Sequence, residues 1–154
     1  MASPDRKRSP DRESSRRNTF PRARRLKRQR LLRALFDRNR DDVQVVRAGA
    51  LVVRYRIVLA AETDPSSPLQ VGFATGRHLR TKPVRNRIKR VMRETFRHHQ
   101  HALLDLFADR PDMLTLMVLY RGGRSGAEAA IARDLPHLLA QIERDIISET
   151  VTGA

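Results

Sequence analysis

Residues 85–90 read Arg-Asn-Arg-Ile-Lys-Arg, inside a longer run, residues 71–97, where cationic and apolar side chains interleave. Laid out as a helix at 100° per residue, Val84, Ile88, Val91, Met92, Thr95 and Phe96 gather on one side. Arg85, Lys89, Arg90, Arg93 and Arg97 fall close to the opposite side. Such an element folds only by laying its apolar stripe on a core, which turns the cationic stripe toward solvent. A dense cationic stripe has a polyanion as its natural partner, and nucleic acid is the leading candidate.

Charge along the 154 residues supports that reading. The formal net charge is +15, but residues 1–40 alone hold 15 cations and 4 anions, and residues 77–97 hold 9 and 1. The remainder holds 8 cations and 12 anions, so the positive charge sits in two segments on a slightly acidic body. Clustering of this kind marks a binding surface rather than general solubility. Arginine far outnumbers lysine, which suits bidentate phosphate contacts and stacking on bases. A GC-rich genome produces the same bias, so the ratio alone decides nothing.

The chain has no cysteine, which excludes disulfides, zinc ribbons and thiol catalysis. No apolar run approaches the ~20 residues of a membrane span. The amino terminus lacks the apolar core of a secretion signal. The expectation is a cytoplasmic, soluble protein.

One domain fits the length. Residues 1–21 read as a disordered basic tail, with Ser3-Pro4-Asp5-Arg6 recurring as Ser9-Pro10-Asp11-Arg12. A helix is predicted over 27–38, with Leu31, Leu32, Leu35 and Phe36 as its apolar side. Residues 41–49 form a connection or short edge strand. Residues 51–59 alternate, placing Leu51, Val53, Tyr55, Ile57 and Leu59 opposite Arg54 and Arg56. Residues 62–68 are a loop and 70–75 a strand. The basic helix follows, with Thr81 as its cap and Pro83 in its first turn. A short helix over 101–107, a strand buried on both sides over 113–120 and a helix over 127–147 complete the domain. Gly122 and Gly123 break the chain before that last helix, and Pro136 should kink or split it. Residues 148–154 are expected to be a disordered end. This order gives an α+β fold, a two-layer α/β sandwich with a small mixed sheet.

Catalytic motifs are missing: there is no phosphate-binding glycine loop, carboxylate pair or nucleophile elbow. His98, His99 and His101 lack the i, i+4 spacing of a helical metal site, and His78 lies among cations where a phosphate contact is plausible. The binding candidates are the basic helix with residues 77–82, and the cluster Arg22, Arg24, Arg25, Lys27, Arg28 and Arg30. Phe36 and Tyr55 are candidate platforms for unpaired bases, with Tyr55 read as the exposed one.

The run Val71-Gly72-Phe73-Ala74-Thr75, then Arg77 and His78, then Val84-Arg85-Asn86-Arg87-Ile88-Lys89-Arg90, closing on Arg93-Glu94-Thr95-Phe96-Arg97, resembles the signature of the bacterial ribonuclease P protein component. Arg25-Leu26-Lys27 through Leu35-Phe36 resembles that family's opening helix, and the likeness spans roughly residues 22–145. It implies parallel strands joined by a left-handed crossover that contains the basic helix. It also implies a partnership with a catalytic RNA that removes the 5′ leader of precursor tRNA. In that family the RNA holds the required Mg2+ ions and performs the hydrolysis, so the chain itself has no catalytic residue and binds no metal. No obligate protein partner and no membrane is implied.

Carried over by position, Arg25, Lys27, Arg28, Arg77, Arg85, Asn86, Arg87, Lys89, Arg90 and Arg93 would contact RNA. Leu32, Phe36 and Tyr55 would line the cleft that takes the leader. Leu32 stands where an aromatic is frequent, Arg80 where glycine is typical and His78 where a second lysine is. Pro83 and Pro136 are further departures. A ribosomal-type structural RNA-binding protein matches the composition equally well, and motif spacing alone separates the two.

Overall fold

The computed structural model describes residues 20–59, 62 and 67–152. Residues 1–19, most of the expected tail, lie outside them. Four strands form one sheet: β1 (Gln44–Ala48), β2 (Leu51–Val58), β3 (Leu69–Thr75) and β4 (Met113–Tyr120), in the spatial order β1-β2-β4-β3. The β1–β2 and β2–β4 pairs are antiparallel and the β3–β4 pair is parallel, so the sheet is mixed. Gly49 lies in the tight β1–β2 connection at φ +56°, a backbone region costly for residues with a Cβ.

Four helices accompany the sheet: α1 (Gln29–Phe36), α2 (Lys82–His99), α3 (His101–Phe107) and α4 (Ala127–Thr152). Register separates the sheet's two faces. Tyr55 lies opposite Leu116, and Leu116 opposite Val71; these three are buried in one core with residues of α2, α3 and α4. Arg54 lies opposite Met117, and Met117 opposite Gly72, on the reverse face. There α1 contributes Leu31 and Leu35 to a second, smaller core with Leu26, Val58 and Met113. Helices α2 to α4 and the sheet thus make the two-layer sandwich, and α1 covers part of its outer side.

The α2 stripe packs as its spacing predicts: Ile88, Met92 and Phe96 are buried. Burying side chains of this size stabilises by roughly 1.5–3 kcal/mol each. Phe96 meets Phe20 and Phe73 edge-on, with ring centroids 6.2 and 5.8 Å away. Phe20 is therefore part of the folded unit, although its position in the sequence assigns it to the tail.

Other expectations change. Helix α1 is shorter than 27–38, with Arg28 and Asp37 in extended backbone at its two ends. Thr81 occupies the N-cap position of α2, but its side chain makes no capping hydrogen bond. Pro136 does not split the last helix. The flanking Leu135, Leu138 and Leu139 are all buried, and their packing outweighs one missing backbone bond. The same helix continues to Thr152, into the segment expected to be a disordered end.

Strand β2 is buried on both faces, not wetted on the arginine side. Arg56 is only 3% exposed and donates to Asp42 at 2.8 Å and to Glu62. Those carboxylates supply the opposite charge that burial of a guanidinium demands.

Candidate nucleic-acid interface

Helix α2 presents its cations in two rows. Asn86, Arg87 and Arg90 are exposed, whereas Arg85, Lys89 and Arg93 are half-buried along its flanks. Packing fixes the flanking row: Arg85 Nη1 donates to the Leu79 carbonyl at 3.2 Å. Arg93 keeps a buried Nε without a hydrogen-bond partner. Arg87 donates from Nε and Nη2 to Glu128 Oε1 at 2.9 and 2.6 Å, which ties α2 to the first turn of α4. Glu94 is the lone carboxylate on α2, and Arg97 neutralises it at 2.8 Å.

The amino-terminal cluster reaches the same neighbourhood by running along the free edge of β3. Arg25 bridges Val71 in parallel register, and the Leu26 N–H donates to the Val71 carbonyl at 3.1 Å. A Cβ at Gly72 would meet Met117 Sδ at 2.7 Å, so glycine there leaves room for that side chain, while Leu26 Cβ would lie at an ordinary contact distance of 3.7 Å. Arg25, Lys27 and Arg28 are exposed along that edge, and Arg77 is exposed in the loop before α2. The cations therefore continue from the side of α2, around the β3 edge, to the start of α1.

On the α1 face, Phe36 is 42% exposed and Leu32 half-buried. The Arg54 guanidinium lies over the Phe36 ring, 5.4 Å from its centroid, and its Nη1 donates to the Leu35 carbonyl at 3.4 Å. Arg54 Nε is buried with no hydrogen-bond partner. An exposed ring backed by a cation offers its open face to a stacking base. Tyr55 does not join this group. It is 3% exposed and belongs to the core on the opposite face. Burial, with Asp145 and Glu149 adding negative charge, pushes its phenol up to about 12. The expectation of an exposed Tyr55 is corrected: strand alternation sends its neighbour Arg54 to the α1 side instead.

His78 is also committed, since its Nε2 donates to the Gly122 carbonyl at 2.7 Å. His99 Nδ1 pairs with the Thr95 carbonyl at 2.9 Å. Among the described residues no three His, Asp or Glu side chains gather as a metal site would require. No helix among them is long and apolar enough to cross a membrane.

The sequence matches the family model Ribonuclease P over residues 20–143. The chain belongs to that family. The fold agrees: a Staphylococcus aureus ribonuclease P protein structure at 2.0 Å aligns with a TM-score of 0.52 at 18% identity, covering 77% of this chain and 94% of that one. A mutant of the S. aureus protein with defective mRNA degradation activity aligns with a TM-score of 0.56 at 18% identity, covering 79% and 89%. Among curated proteins none matches.

Within the chain, two residues are not evident from sequence pattern alone. Arg54 reads as a solvent-facing cation, although its even spacing from Val52 and Val58 puts it opposite Tyr55. Arg124 lies in a loop that reads only as a glycine break. Its signal is the string Arg121-Gly122-Gly123-Arg124, whose charge is small beside the larger clusters.

Proposed function

We propose that this chain is the protein subunit of ribonuclease P, binding the catalytic RNA and the 5′ leader of precursor tRNA. The observation that carries the proposal is the row Asn86, Arg87 and Arg90, exposed on a helix anchored through Ile88, Met92 and Phe96, inside the family match. These residues, with Arg25, Lys27, Arg28, Arg77, Arg85, Lys89 and Arg93, contact RNA phosphates. Leu32, Phe36 and Arg54 receive the leader, with the Phe36 ring as the stacking surface. Phosphodiester hydrolysis and its Mg2+ ions belong to the RNA. The chain's contribution is to hold the substrate and screen phosphate repulsion, which lowers the magnesium required.

Filter binding of the ribonuclease P RNA to the Arg87→Ala, Arg90→Ala double variant tests this. Each phosphate that no longer meets an arginine should weaken binding and reduce the slope of log affinity against log salt by about 0.7–0.9. Unchanged affinity and slope in a folded variant would remove α2 from the interface and favour the ribosomal-type alternative.

A further inference from the structure

Beside α2, residues 124–126 and the first turn of α4 border an open cavity of about 980 Å³. Pro83, Val84 and Ala127 give it apolar walls, while Arg87, Arg124, Ser125 and Glu128 supply its polar lining. We propose that this cavity seats one phosphate of the RNA between Arg87 and Arg124, with Glu128 holding Arg87 until the RNA displaces it. The inference rests on the RNA-binding function proposed above and adds a contact element outside the basic helix.

Three observations support it. First, the loop is held against the helix approach: Gly122 accepts from His78 Nε2 at 2.7 Å, and Gly123 from the Tyr120 hydroxyl at 2.6 Å. The Arg121 N–H donates to the Ala50 carbonyl at 2.8 Å. A Cβ at Gly122 would fall 2.5 Å from the Tyr120 hydroxyl oxygen, so this path requires glycine. Arg124 is thus presented from a braced loop beside α2.

Second, the charges are complementary to a phosphodiester. Arg87 and Arg124 bring two positive charges and Ser125 a hydroxyl, all from exposed positions that a phosphate can reach. Third, Glu128 commits a carboxylate to Arg87 in a pair whose members are 74% and 58% exposed. An exposed pair of this kind is weak, so it orients the guanidinium without competing strongly against RNA. When the phosphate enters, Arg87 exchanges a carboxylate oxygen for a phosphate oxygen and Glu128 returns to water.

The test uses the full chain and the ribonuclease P RNA, with Arg124→Gln, Glu128→Gln and Arg90→Ala compared for affinity, salt slope and melting temperature. Arg124→Gln should weaken binding about five- to tenfold and lower the salt slope by about 0.7–0.9. Glu128→Gln should tighten binding about two- to fivefold by removing the competing anion, a direction that weakened structural support does not produce. Wild-type affinity for Arg124→Gln alongside weakened Arg90→Ala overturns the cavity site and leaves the RNA-binding function standing. Weaker binding by Glu128→Gln overturns the competitor role. If Arg90→Ala also binds like wild type, the RNA-binding function itself fails.

Discussion

The Arg54 guanidinium backs the Phe36 ring at 5.4 Å, on the face of the sheet that Tyr55 turns away from. Adjacent residues of one strand therefore serve two different layers. Arg54 supports an exposed aromatic beside α1, and Tyr55 fills the core beneath α4. In the proposed function, single-strand recognition is centred on the first group.

Replacing Phe36 by Ala should cost roughly 1–3 kcal/mol in binding of leader-bearing precursor tRNA, the range for one base stacked on an aromatic. Binding of mature tRNA, which has no leader, should be unaffected. Comparing the two affinities by titration checks this, and an equal loss for both would remove Phe36 from the leader cleft.

Spectrophotometric titration reports on both tyrosines, the only two in the chain. Burial raises the Tyr120 phenol as it raises Tyr55, the latter to about 12. Neither should ionise at the ordinary tyrosine value near 10 while the protein is folded. A raised phenol value means that the neutral form is favoured in the fold, so the associated stability is complete below about pH 10 and is lost as pH climbs toward 12. A phenol step near pH 10 with the amplitude of both tyrosines in folded protein would mean that Tyr55 is exposed after all.

Phe96→Ala should destabilise the fold by about 3–5 kcal/mol, read from denaturant unfolding. Phe20→Ala should also lower the melting temperature, by less, because Phe20 is only partly buried against Phe73 and Phe96. A truncation that removes residues 1–20 should be less stable than one that removes only residues 1–19, because it also takes away Phe20. Equal stability of the two truncations would contradict the aromatic cluster.

Asp42 ties the connection before β1 to β2. Hydrogen bonds from Arg40 hold its carboxyl well below the usual range; burial opposes the shift, and Arg56 adds to it. A depressed folded value gives stability that is fully present above the unfolded value near 4 and fades as pH falls below it. Asp42→Asn should cost roughly 1–2 kcal/mol at neutral pH, below the cost for a fully buried pair because Asp42 is 43% exposed. Stability measured from pH 7 down to 2 should show the gap between the two proteins starting to narrow below about pH 4 and still closing at the acid end, because the folded carboxyl titrates far below the unfolded one. A constant gap across that range would show that the charge of Asp42 is not what matters.

Much of this architecture is legible in the residues. Periodicity alone places Ile88, Met92 and Phe96 in the core, and the apolar run of β4, interrupted only by Thr115, announces a strand buried on both sides. Alternation in β2 groups Tyr55 apart from Arg54. It does not say which group faces which helix, because arginine is compatible with solvent and with a buried carboxylate pair alike. Asp42 and Glu62 settle Arg56, and both are distant in sequence or set in a loop. Pro136 misleads for a related reason: local propensity favours a break, while the buried leucines around it hold the helix together. The cavity by Arg124 needs α2 and α4 to be brought side by side, which no local pattern encodes.

The most direct measurement is precursor tRNA cleavage at low, near-physiological magnesium, with the ribonuclease P RNA alone, the protein alone, and both together. Cleavage in the mixture, with little from the RNA alone and none from the protein alone, is the expected result and places the chemistry in the RNA. Failure of the protein to stimulate the RNA would contradict its role as the ribonuclease P subunit, and cleavage by the protein alone would contradict the division of labour between them.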